Sequence, residues 1–286
     1  MNFPRYWTKG SHTGKDVEGK EITISAFGWS STDLEDARRV GSERAKRVLE
    51  RGFTRGERTD YEYGVTPFRE EVVESLEVDG EQVGVVSRNR YGALVLNTPK
   101  VMFVDIDFPE PASAGILDAI LLMFSAKKRE ERQSLEEDVI HRSVQEWYEK
   151  NPSRACRLYR THSGFRLLFT DKLYDPTSDE SKRILSELKS DRLYCALTER
   201  QECYRARLTP KPWRCASTRP PSQFPWKDET EEKIYRAWLS EYEDACRSYA
   251  TCVLKKEYGE RASDPVIRKM IDFHDELSIK TGSPLA

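Results

Sequence analysis

Two aspartates one residue apart, Asp105 and Asp107, close the apolar run VMFVDIDFP at residues 101–109. Side chains at i and i+2 of a β-strand point to the same face, so the two carboxylates stand side by side. Carboxylates that close repel one another and raise a pKa unless a cation lies between them. A hard divalent metal, Mg2+ or Mn2+, is one such cation, and a neighbouring arginine is another. Both readings stand on this motif alone. Basic and hydroxyl side chains available as partners lie further along the chain. His162 and Ser163 precede Gly164, Arg166 follows it, Arg205 and Arg207 alternate in CYRARL, and Lys211 sits in TPKPW.

Stepping outward, residues 21–27 alternate Ile22, Ile24 and Ala26 with polar neighbours and read as a strand. Thr32-Asp-Leu-Glu35 is a capping box that opens a helix to about Arg51, closed by Gly52. Residues 55–64 read as a charged loop, 67–76 (PFREEVVESL) as a short helix, and 83–88 with 92–97 as a hairpin around Asn89-Arg90-Tyr91. The strand at 101–107 leads into helical sequence from about Ser113 to Lys150, broken near 127–132 and restarted at Ser134-Leu-Glu-Glu137. A hairpin at 156–161 and 165–170 turns at Ser163-Gly164. Thr177-Ser-Asp-Glu180 then caps a helix through Lys189, and residues 203–208 supply a last strand. After a surface loop at 217–226, one helix opens at Asp228 and runs to about Glu257. Another opens at Ser263-Asp264-Pro265 and is closed by Gly282.

That order, β-α-β-β-α-β, is the split βαβ or ferredoxin-like unit. The expected fold class is therefore α+β: an RRM-like core at 99–216, an N-terminal α/β extension at 1–98 packed on it, and a C-terminal helical region at 217–286. In this topology Met102, Val104 and Ile106 face the helices. Asp105 and Asp107, with Phe103, lie on the open face amid Arg166, Arg205 and Arg207, an arrangement that suits a metal-bound polyphosphate.

Composition narrows the partners. The 286 residues suffice for one large domain or two small ones. With 34% charged residues but a net charge of −2, the chain has no global basic signal for nucleic acid, so such a surface must come from local clusters. The longest apolar stretch, 115–124, is too short for a bilayer and contains Asp118. The first ten residues lack the apolar run of a signal peptide. A cytoplasmic protein with no membrane partner is expected. The six cysteines form no CxxC pair and the four histidines are scattered, which argues against structural zinc.

A strand of the form apolar-apolar-Asp-apolar-Asp, followed by helices and a hairpin with Ser-Gly at its turn, resembles the archaeo-eukaryotic primase (primase-polymerase) superfamily over residues 101–214. The resemblance implies an RRM-like catalytic core in which Asp105 and Asp107 hold two Mg2+ or Mn2+ ions. The partners it implies are nucleoside triphosphates and a DNA or RNA strand. It also asks for a third carboxylate, for which Glu202 is the candidate and Glu199 the alternative, and for a His on the strand after Ser-Gly. Here that stretch is Ser163-Gly164-Phe165-Arg166-Leu167-Leu168, so His162 or Arg166 takes over phosphate binding, beside Ser163, Arg205, Arg207 and Lys211. Candidate nucleic-acid contacts are Arg88 and Arg90 of the SRNRY hairpin tip, Arg157 and Arg160 of the second hairpin, and Trp213. The Trp213 ring either stacks on a base or plugs the core. His274-Asp275 has no nucleophile beside it and reads as a packing pair.

The function expected is a metal-dependent nucleotidyltransferase of the primase/polymerase type. The alternative is a catalytically degenerate RRM-like nucleic-acid-binding protein. A nucleotide-sugar transferase of the DxD type fits poorly, because the elements after the motif do not alternate as a βαβ series.

Overall fold

Strands β1 (Tyr6–Lys15) and β2 (Glu21–Ser30) pair antiparallel, and helix α1 (Leu34–Glu50) lies directly on them. Glycine permits that approach: a Cβ on Gly28 would stand 2.0 Å from the Ala37 carbonyl oxygen, and one on Gly10 2.2 Å from that of Arg38. Asp33 caps α1 by accepting from the Asp36 N–H. The helix expectation is met with the cap one residue later than Thr32, whereas β1 is an element the sequence reading lacked. This computed structural model describes residues 1–51, 67–108 and 126–286, the stretch 126–133 by its backbone alone. The closing Gly52, the 55–64 loop, the 115–124 apolar stretch and the start of the helix expected from Ser113 lie outside the described residues.

Among the described residues the chain is α+β, with six α-helices and three antiparallel sheets. One four-stranded sheet has the order β3 (Glu71–Val78), β4 (Glu81–Arg88), β5 (Leu94–Thr98), β9 (Tyr204–Arg207). The other runs β10 (Cys252–Tyr258), β7 (Cys156–Thr161), β8 (Gly164–Phe169), β6 (Phe103–Asp107). The expected hairpin around Asn89-Arg90-Tyr91 is present. Asn89 Oδ1 accepts from the Tyr91 and Ala93 N–H groups, and Gly92 takes φ +81°.

Three element assignments are corrected. Residues 67–76 do not form a helix: Glu71–Val78 is edge strand β3, joined to β4 through Asp79-Gly80, both at positive φ. Helix α2 (Ala126–Lys150) runs without a break through 127–132. Helix α5 (Glu229–Cys246) stops well short of Glu257, and residues 252–258 pair with β7 instead.

The expected β-α-β-β-α-β unit is only partly realised. Strands β6, β8 and β7 adjoin in that order, and α2 and α3 (Asp179–Glu187) are joined by the Trp147 Nε1–H bond to Glu187, 2.8 Å. The last strand does not join them. β9 pairs with β5, because the outer edge of β6 is already occupied by the start of helix α4 (Arg192–Gln201). The Asp105 carbonyl accepts from Ser190 Oγ and the Asp191 N–H, and the Phe103 carbonyl accepts from Tyr194 Oη. Tyr194 Oη in turn accepts from the Arg205 N–H of β9, so one tyrosine stitches the two sheets.

The open sheet face is likewise corrected. Phe103, Tyr159 and Arg166 are buried, and α6 (Pro265–Ser278) covers them: the His274 ring lies 5.5 Å from Phe103 and 4.8 Å from Tyr159. Tyr159 and Arg157 both donate to Asp275. His274-Asp275 is thus a packing pair, as expected. Only the Asp107 end of that face stays exposed.

His274 predicts an acid-sensitive core. Burial holds its pKa below the ordinary 6.5, the Asp275 hydrogen bond opposing and Arg166 reinforcing. The folded state therefore takes up this proton later than the unfolded chain does. Stability should fall as pH drops below about 6.5, by up to ~1.4 kcal/mol per pH unit for the one proton. Urea unfolding at stepped pH checks this: the slope should flatten in His274→Asn, and an unchanged slope would refute the assignment.

Candidate functional site

Strand register sets the centre of the site. Asp105 lies opposite Arg166 on β8, and Asp107 opposite Gly164. A Cβ on Gly164 would stand 2.0 Å from the Ile106 carbonyl oxygen, so only glycine lets the Ser163 turn close over the end of β6. Arg166, 2% exposed, donates from Nε to Asp105 Oδ1 at 3.0 Å and from Nη1 to the Arg207 carbonyl at 2.9 Å. Asp105 is therefore arginine-paired. Asp107 is exposed and has no ion pair among the described residues.

Cations collect beside Asp107. Strand β9 brings Arg207, and the turn that follows brings Lys211 and Arg214. That turn is fixed from behind by Tyr242 of α5, which donates to the Pro210 carbonyl, and Cys215 packs into the same small core. Arg214 Nη2 donates to Ser163 Oγ at 2.7 Å, and His162 Nδ1 lies 3.1 Å from the same hydroxyl. Arg207 Nε is buried and has no acceptor among the described residues.

The electrostatics agree with an anion-receptive cluster. Burial, then Arg166 and Arg214, push the Arg207 guanidinium down to about 10. Burial, Arg207 and Arg214 lower the Lys211 ammonium as well. His162 is pushed down to about 4 by partial burial and by Arg214, Arg160, Arg207 and Lys211, so its ring is neutral at pH 7. On the acidic side, partial burial, Asp105 and Asp191 raise the Asp107 carboxyl, while Lys211 and Arg207 oppose that rise. A group of like charges that depress one another beside two unlike ones can accept a bound anion and a bound cation together.

The sequence-derived residues distribute as follows. Asp105, Asp107, His162, Ser163, Arg207 and Lys211 come together. Arg166 belongs to the cluster, yet it is spent on Asp105 rather than facing outward. Glu202 is a correction: it ends α4 in the left-handed region and, among the described residues, pairs with the Met1 amino group at 3.5 Å rather than with the two aspartates. Eleven helical steps at ~1.5 Å each put it about 16 Å along the helix from Asp191. Glu199, on the same helix as Glu202, pairs with Lys182 of α3. Arg205 pairs with Glu70 at 2.8 Å, just before β3, and stacks on Phe68.

The nucleic-acid candidates do not form one surface. Arg88 is buried against Glu243 and the Gly92 carbonyl. Arg157 and Arg160 sit on opposite faces of β7, the first bonded to Asp275 and the second buried against Glu137 of α2. A shared basic groove on that hairpin is excluded. Arg90 is exposed beside Tyr91, and Trp213 is 43% exposed with its ring edge-on to Tyr91 at 5.1 Å, so Trp213 does not plug the core.

Sequence reading missed two site residues. Asp191 N-caps α4 by accepting from the Tyr194 N–H, and its charge reaches Asp107. The Ser190-Asp191 step before an apolar run is a helix-start signal that marks it. Arg214 follows Trp213 directly, and no spacing rule singles it out.

Among the described residues no three His, Cys, Asp or Glu side chains converge to hold a metal by themselves. Two acids with phosphate-ready cations beside them fit Mg2+ chemistry nonetheless, since that ion commonly takes one or two carboxylates and completes its shell with phosphate oxygens and water. No helix of the described residues is long and apolar enough to cross a membrane. No protein-family model, curated protein or solved structure matches the chain.

Proposed function

We propose that the protein is a metal-dependent nucleotidyltransferase of the primase-polymerase type, taking a nucleoside triphosphate as its Mg2+ or Mn2+ complex at the end of β6. The observation that carries this reading is the juxtaposition of unpaired Asp107 with Arg207, Lys211 and Arg214. The β6-β8-β7 order with α2 and α3 supports an RRM-like half, whose fourth strand has moved to the neighbouring sheet.

Each residue has a distinct task in this reading. Asp107, with the outer oxygen of Asp105, would hold the metal, which when bound offsets phosphate charge and polarises the reacting phosphoryl group. Arg207, Lys211 and Arg214 bind phosphate oxygens and favour charge that builds on them during transfer. Ser163 and the neutral His162 supply hydrogen bonds at the rim. Arg166 positions Asp105 from behind and does not touch the nucleotide.

One observation favours the second reading, a binding protein that has lost catalysis. Asp105 is half consumed by Arg166, and Glu202 pairs with the Met1 amino group at the opposite end of α4 from Asp191. Calorimetric titration of ATP with and without Mn2+, in wild type and Asp107→Asn, tests the metal site. Wild type should bind at least about tenfold tighter with Mn2+, and the variant should lose that gain. Because the Asp107 pKa is raised, the unliganded variant should also unfold slightly later at pH 7. Equal ATP affinity with Mn2+ and with chelator would overturn the proposal. Metal-dependent binding without extension of a primed oligonucleotide would select the second reading.

A further inference from the structure

A cleft of about 650 Å3 lies between the β1-β2-α1 module and the β3-β4-β5-β9 sheet with helix α4. None of the residues discussed for phosphate binding lines it except Arg205. Its described lining holds seven arginines against one glutamate, in a chain whose net charge is −2. Among the described residues, positive charge is concentrated here.

The arginines are paired with aromatic rings in a repeated way. Arg44 lies 4.4 Å from the centre of the Trp29 ring, and Arg69 4.3 Å from that of Phe27. Across the cleft, Arg205 lies 3.8 Å from Phe68 and Arg90 4.7 Å from Tyr91. Four such contacts gather around this one cleft, a local concentration of cations laid on rings. Alternating guanidinium and ring surfaces match a chain whose own units alternate phosphate and flat base. An acidic peptide has the charge but no flat units to lay on the rings. A duplex stacks its bases internally and leaves the rings unused.

The cleft also leads to the candidate active site. Arg205 inside it and Arg207 at the phosphate cluster are two residues apart on one strand and so share a face. Tyr91 lines the cleft on one side and meets Trp213, next to Lys211 and Arg214, on the other. Leu193 and Leu197 of α4 line it as well, and the same helix starts at Asp191 beside the acids.

We propose that this cleft binds a single-stranded nucleic acid, its phosphates on the arginines and its bases on Trp29, Phe27 and Tyr91, and delivers one end of the strand to the phosphate cluster. The delivery rests on the nucleotidyltransferase reading; the binding does not. The experiment therefore omits nucleotide and divalent metal. Fluorescence anisotropy in EDTA, with labelled oligothymidylate and oligouridylate of about 15 nucleotides, measures affinity against salt. Arg47, Arg69 and Arg90 are all exposed and serve for charge reversal.

The triple variant Arg47→Glu, Arg69→Glu, Arg90→Glu should weaken binding at least ~30-fold and flatten the logarithmic salt slope by about 2. Trp29→Leu should weaken it about tenfold, and wild-type tryptophan fluorescence should be quenched by the strand. Asp107→Asn should leave strand affinity within about twofold, which separates this result from failure of the metal site. Binding unchanged in the triple variant, duplex bound as tightly as single strand, polyglutamate displacing the strand at equal charge, or no quenching in wild type would each overturn the proposal.

Discussion

Arg166→Met is expected to cost about 2–4 kcal/mol of folding stability, read as the urea midpoint at pH 7. The guanidinium is 2% exposed and makes two bonds that no neighbour can replace, to Asp105 Oδ1 and to the Arg207 carbonyl. Burial alone would lower its pKa, yet Asp105, with Cys252 and Tyr194 adding to it, holds the guanidinium above the ordinary value. Methionine fills the space but leaves a carboxylate oxygen and a carbonyl without donors. Breaking a fully buried pair from one side commonly costs ~3–5 kcal/mol. The Asp105 side chain is 33% exposed, and water reclaims part of that loss, which sets the lower range.

A double-mutant cycle isolates the coupling. Asp105→Asn alone leaves a buried cation beside Arg207, so it too should destabilise. The double variant should then be more stable than the sum of the singles by ~1–3 kcal/mol. Additivity within ~0.5 kcal/mol would show that the two side chains do not depend on one another. A stability change in Asp105 variants must therefore be measured before any activity change is assigned to lost metal.

Much of this geometry was legible, and the gaps have specific causes. The DxD strand, the Ser163-Gly164 turn and the Arg166 position follow from period-two alternation and a glycine turn, both local signals. EVVESL satisfies a helical spacing as readily as a strand, and it is the Asp79-Gly80 turn that decides for strand β3. Without helix α4 the sequence pattern puts β9 in the same sheet as β6, and Glu202 enters only as the third carboxylate that the resemblance asks for. No local pattern states that Ser190, Asp191 and Tyr194 will occupy the edge of β6. Edge occupancy is a tertiary fact. The cover of α6 over Arg166 is another, since the pairing of His274 with Phe103 and Tyr159 joins residues more than a hundred positions apart.

Neutralising the cation cluster should have opposite effects on the free and the liganded protein. In Lys211→Gln, Arg214→Gln, the free protein loses two charges that the fold already depresses: burial lowers both, and Arg207 and Arg214 lower Lys211 further. A base whose folded pKa lies below its ordinary value costs stability at every pH where both states are charged, pH 7 included. Removing these bases relieves Arg207 as well, so the unliganded midpoint should hold or rise by roughly 1–3 °C. With ATP and Mn2+ at a hundred times the dissociation constant, wild type should gain about 2.7 kcal/mol, or roughly 5–10 °C in midpoint. A charge-assisted hydrogen bond contributes ~1.5–3 kcal/mol, so losing two should weaken binding about 100-fold or more and erase most of that gain. Thermal unfolding with and without ligand reads both signs in one experiment. A variant that loses stability in the free state would mark Lys211 and Arg214 as structural groups. A variant that keeps the ligand-induced gain would remove the cluster from the nucleotide site. Only the crossed result, firmer when empty and indifferent to ligand, fits charges that the fold holds at a cost for an anion still to come.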